Sequence, residues 1–123
     1  MLVDDVPELR ELTRIGLEDH GSCAVVGEAG DGLQAVEEVA ATRPDAVVLD
    51  LSMPRCDGLE ALAELRREHP QLAIVVFSGF AQERLAQQLA EGGADGYVEK
   101  GAPVAELGTA IEAAVAHRRP EGS

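Results

Sequence analysis

Asp4 and Asp5 follow three apolar residues, Asp50 follows the apolar run 46–49, Ser78 follows the run 73–77, and Lys100 stands just past the run 96–98. Three carboxylates, a hydroxyl and an ammonium, each at or just past the end of a β-rich run, form a set with one chemistry in common. A carboxylate nucleophile beside a hard-cation site, with a lysine and a hydroxyl to hold phosphoryl oxygens, describes phosphoryl transfer onto aspartate.

The acids also argue for the cation. Neighbouring strands lie about 4.8 Å apart, so carboxylates on adjacent strand ends converge. Such anions repel by about 4 kcal/mol per pair at an effective dielectric of about 20. Oxygen ligands select a hard cation, and Mg2+ takes one or two carboxylates together with waters and a phosphate. The expected metal ligands are Asp5 and Asp50, with Asp4 acting directly or through water. Lys100 is the lone lysine of the chain, the nine other basic residues being arginines. Its ammonium would hold a carboxylate when the site is empty and a phosphoryl oxygen when it is full.

These residues need a sheet to bring them together. Short β-rich runs at 2–3, 24–26, 46–49, 73–77 and 96–98 alternate with apolar residues at helical spacing, namely Leu9, Leu12 and Gly16, then Val36, Val39 and Ala40. The same spacing recurs at Leu59, Leu62 and Leu65, at Leu85, Ala86 and Leu89, and at Leu107, Ile111 and Val115. Strand runs that are continuously apolar are covered on both faces, as in parallel sheets. The fold class is therefore α/β: a doubly wound five-stranded parallel sheet, (βα)5, flavodoxin-like, of order 2-1-3-4-5. In that order ligands bind beyond the carboxyl ends of the strands, between the first and third.

Composition narrows the partners. The 123 residues suit one domain, set at 1–117 with 118–123 as a tail or the start of a linker. A net charge of −13, with 23 acids against 10 bases, argues against direct nucleic-acid binding. No apolar run is long enough to span a bilayer, so a cytoplasmic location is expected. Cys23 and Cys56 lack metal-ligand or disulfide spacing, and His20, His69 and His117 read as structural residues near helix ends. Taken alone, Asp4 and Asp5 would read as a helix-start pair. Asp50 differs, because an apolar strand end is a costly place for an unpaired charge.

Asp4-Asp5, the segment Asp50-Leu-Ser-Met-Pro-Arg-Cys-Asp57-Gly58, Ser78-Gly79 and Gly93-Ala-Asp-Gly-Tyr-Val-Glu-Lys100 resemble the receiver domains of two-component response regulators, over nearly the whole chain. The subfamily that precedes a LuxR-type DNA-binding domain is the most similar. The resemblance implies that Asp50 accepts phosphate from a sensor histidine kinase, and that Asp5, Asp50 and the backbone carbonyl of Ser52 ligate Mg2+ with help from Asp4. It also implies that Ser78 and Lys100 bind the phosphoryl oxygens. Tyr97 would turn inward as Ser78 moves, so that the face of the fourth helical segment, the fifth strand and the fifth helical segment reads out the state and would serve a homodimer.

On this reading the chain is a phosphoacceptor switch, not a turnover enzyme, and its output domain lies outside the sequence. A stand-alone receiver acting by protein contact is the alternative. An aspartate-nucleophile phosphatase fits less well, because its nucleophile sits on the first strand with a second acid two residues on. A flavodoxin-like cofactor binder would need more aromatics than Phe77, Phe80 and Tyr97. Three departures stand out: Gly101 follows the lysine where many members have proline, the sequence ends without an output domain, and the lead-in before Asp4 is short, which suggests a trimmed or misassigned start at Met1.

Overall fold

The computed structural model describes residues 1–3, 7–20, 27–30, 32–50, 58–78, 91–99 and 102–118. Five parallel strands form one sheet in the order β2-β1-β3-β4-β5: β1 Leu2–Val3, β2 Glu28–Ala29, β3 Ala46–Leu49, β4 Ala73–Ser78 and β5 Gly96–Glu99. Four helices are described: α1 Pro7–His20, α2 Gly32–Thr42, α3 Gly58–Glu68 and α4 Val104–Arg118. The fourth helical pattern of the sequence, around Leu85 to Leu89, lies outside the described residues, so α4 is the fifth of that series.

Side chains in a strand alternate between faces, and here both sets are apolar. Val3, Val47, Leu49, Ile74 and Val76 pack on one face with Ala35 and Val39 of α2 and Ala61, Leu62 and Leu65 of α3. Leu2, Val48, Ala73, Val75 and Val98 pack on the other with Leu17 of α1 and Leu107, Ile111 and Ala114 of α4. Full burial of such a side chain stabilises by about 1.5–3 kcal/mol, so helices on both faces are the only way to cover the sheet. Helix α1 meets α4 closely at Gly16, where a Cβ would lie 2.9 Å from Cγ1 of Val104.

The second strand is described over two residues. The apolar run 24–26 lies outside the described residues, and β2 is Glu28–Ala29, with Leu2 opposite Glu28 and Val3 opposite Ala29. Glu28 is thus part of the described strand. Pairing with the short β1 decides the position, because Leu2 donates to the Gly27 carbonyl at 3.1 Å. On the other side of β1 the Met1 ammonium donates to the Ala46 carbonyl at 2.9 Å, and Val48 donates to the Met1 carbonyl at 2.8 Å.

At the amino ends of β4 and β5 a buried carboxylate ties four elements together. Asp95, just before β5, has a side chain 2% exposed. Its Oδ2 accepts from the Ile74 amide at 2.9 Å and from Arg66 Nη2 at 2.9 Å, and its Oδ1 accepts from Arg118 Nε at 2.6 Å. Arg66 also donates to the carbonyls of His69, Pro70, Leu72 and Gly93. Burial and the neighbouring Arg118 push the Arg66 guanidinium below its ordinary pKa, while Asp95 pulls it back up. Helix α4 runs through Arg118, one residue past the boundary drawn from the sequence.

Candidate functional site

Asp50 directly follows β3, and its amide donates to the Val3 carbonyl at 3.0 Å. That bond anchors the residue to the last described position of β1. Asp50 is 2% exposed, and among the described residues it is the one polar or charged residue buried over its backbone and side chain together. A carboxylate is costly to bury in an apolar strand end unless something there uses it.

The sheet register shows what surrounds it. Ala29, Val3, Leu49, Val76 and Tyr97 stand in one row across five strands, and Asp50 lies one residue beyond that row. A cavity at this edge is lined by Leu2, Val3, Arg10, Thr13, Val48, Asp50 and Phe77. Ser78 closes β4 opposite Glu99. Asp4, Asp5, Ser52 and Lys100 lie outside the described residues, as does the side chain of Ser78. Among the described residues no group of three His, Cys, Asp or Glu side chains gathers as a metal cluster. Asp50 supplies a hard oxygen donor, which suits a cation such as Mg2+ and not a softer metal.

Tyr97 sits in β5 and packs against the core on the α2 and α3 face. Its hydroxyl is buried, with no hydrogen-bond partner among the described residues. Burial, reinforced by Glu99, pushes the phenol pKa up from 10.0. The fold therefore favours the protonated phenol; that contribution is complete below the ordinary value and is lost as pH rises through the raised one. Tyr97→Phe should leave the unfolding free energy unchanged or raise it by up to about 1 kcal/mol, because an unpartnered buried hydroxyl is removed. It should also flatten the loss of stability above pH 10, as measured by urea unfolding across alkaline pH.

Arg10 and Thr13 were not singled out in the sequence. They lie three residues apart on α1, the spacing that places two side chains on one helical face, and Arg10 is the first basic residue after the acidic pair. Phe77 was counted among the few aromatics, but nothing tied it to Asp50.

A family model for the response regulator receiver domain matches residues 1–112. The chain belongs to this family. The receiver domain is 35% identical over 120 residues to the response regulator GacA of Pseudomonas viridiflava, a match covering 97% of this chain and 56% of that protein. The chain thus spans about half the length of the curated relatives it matches. A crystal structure of a LuxR-family two-component response regulator from Aurantimonas sp. SI85-9A1 superimposes with a TM-score of 0.90 at 41% identity, covering 97% of this chain and 85% of that one. The response regulator TrrA of Thermotoga maritima, solved in complex with Mg2+-BeF, gives a TM-score of 0.81 at 28% identity over 92% of this chain and 95% of that one. The receiver is a signalling family, and among the described residues no helix is long and apolar enough to cross a membrane.

Proposed function

We propose that this receiver domain is a phosphorylation switch whose acceptor is Asp50 and whose donor is a sensor histidine kinase. The supporting observation is the Asp50 carboxylate, buried at the end of β3 on the wall of a cavity. One Asp50 oxygen attacks phosphorus in the phosphohistidine; a P–O bond forms, the P–N bond breaks, and its electron pair leaves with the imidazole nitrogen. Asp5, Asp50 and the Ser52 carbonyl would hold Mg2+, with Asp4 assisting, and the ion when bound offsets the charge of the acids and of the phosphoryl oxygens. Lys100 and Ser78 would take the remaining oxygens.

The new group carries about two negative charges and three acceptor oxygens, so the arrangement of Ser78 and Tyr97 that contacts it best gains population. The readout face joins the fourth helical segment of the sequence, β5 and α4, and would support a homodimer. The likeness to LuxR-family regulators and the half-length match favour a transcriptional regulator whose DNA-binding part lies outside this chain, acting in the cytoplasm.

Incubation with Mg2+ and acetyl phosphate, followed by intact-mass measurement, should add one phosphate to the native protein and none to Asp50→Asn. Equal labelling of the two would overturn the assignment.

A further inference from the structure

We infer that Arg10, held in place by Glu28, sets the electrostatic balance at Asp50 between the divalent cation and the anionic phosphodonor. The inference rests on the reading of Asp50 as the phosphoacceptor.

Arg10 lies in the first turn of α1, and its Nε pairs with Glu28 Oε1 of β2 at 3.3 Å. Its Nη1 sits over Gly30, where a Cβ would be only 3.3 Å away, so the bare glycine leaves the space that the guanidinium fills. Val3 is level with Ala29 on one side and Leu49 on the other, so Gly30 and Asp50 each lie one residue past the same row. They are two strand spacings apart, about 10 Å, on either side of the β1 line. Arg10 and Asp50 line one cavity.

The position of this cation is fixed by the fold. Its side chain is 20% exposed, and Glu28 is shared with Arg14, whose Nε is 3.9 Å from Oε2. Arg14 is itself engaged by Glu11 at 2.7 Å and Glu18 at 3.2 Å. A guanidinium stays charged at every accessible pH, so Arg10 contributes a constant positive potential that Glu28 trims. The potential acts with opposite sign on the two ligands of Asp50: it weakens a divalent cation and strengthens a phosphoryl dianion.

That opposition supplies the test. In Arg10→Gln the dissociation constant for Mg2+ alone, measured by calorimetry, should fall roughly threefold or more, while the acetyl phosphate concentration giving half-maximal labelling should rise by a similar factor. Glu28→Gln removes the trimming charge and should shift both constants the other way. Arg10→Lys keeps the charge and should restore both to within about twofold of the native values, and all the shifts should shrink at about 0.5 M salt.

A merely structural ion pair predicts something else: Arg10→Gln and Glu28→Gln would change both constants in the same direction and in proportion to the loss of Tm, and that result overturns the inference. Absence of labelling in the native protein, with the opposed Mg2+ shifts intact, would instead overturn the phosphoacceptor reading and uphold the cation half of the inference.

Discussion

Asp95→Ala should lower the unfolding free energy by about 3–5 kcal/mol, the usual result of removing one partner from a buried ion cluster. The substitution would leave Arg66, Arg118 and the Ile74 amide facing a space the carboxylate had filled. The cost comes from stranded donors more than from lost attraction, because the Arg66 side chain is only 17% exposed and is poorly placed to regain water. Asp95→Asn keeps one acceptor oxygen and should cost less. Arg118→Met should also cost less, since the Arg118 side chain is 26% exposed at the last turn of α4. Urea unfolding of the three variants tests this order; an Asp95→Ala loss no larger than that of Arg118→Met would show that the carboxylate does not anchor the cluster.

Gly93→Ala should cost at least about 2 kcal/mol, corresponding to a fall in Tm of roughly 5–10 °C in a domain of this size. Two effects add. Gly93 has φ of +107°, a conformation that side-chain-bearing residues adopt only under strain. A Cβ there would also lie 2.7 Å from Cγ of Arg66 and 3.0 Å from its Nε. A long arginine normally swings aside cheaply, but this one is fixed along its length by hydrogen bonds to Gly93, His69, Pro70, Leu72 and Asp95. The two effects separate in a double-mutant cycle. In an Arg66→Ala background the contacts with Cγ and Nε disappear and only the one with Cβ, at 3.2 Å, remains, so Gly93→Ala should cost little more than its backbone strain. An undiminished cost would assign the whole effect to the backbone.

The fold was legible in the sequence because each strand run is short, apolar and followed by a helical pattern, and two covered faces demand that order. Asp50 was legible for a local reason, a charge at the end of the run 46–49. Arg10, Arg66 and Asp95 were not. Their ion-pair partners lie 18 to 29 residues away, and nothing in a local window distinguishes an arginine that will be buried from one on the surface. The pairing of Glu28 and Ala29 with β1 was missed for a related reason, since no periodicity specifies their partners; the expected run 24–26 lies outside the described residues.

The doubly covered sheet has a consequence for how the chain finds its alignment. In a sheet with one wet face, a slip of one residue turns apolar side chains into water and is rejected at once. Here Ala73, Ile74, Val75 and Val76 would suit either face, so greasiness carries no address for β4 against β5. Polar contacts must supply it. Asp95 donates its amide to the Ile74 carbonyl at 2.8 Å and accepts the Ile74 amide on its carboxylate at 2.9 Å. A regular parallel ladder would offer that amide the carbonyl of residue 93, but the Gly93 carbonyl is turned to Arg66. The side chain thus counterfeits a backbone rung at one position only, and a strand shifted by one residue would find no such forgery waiting.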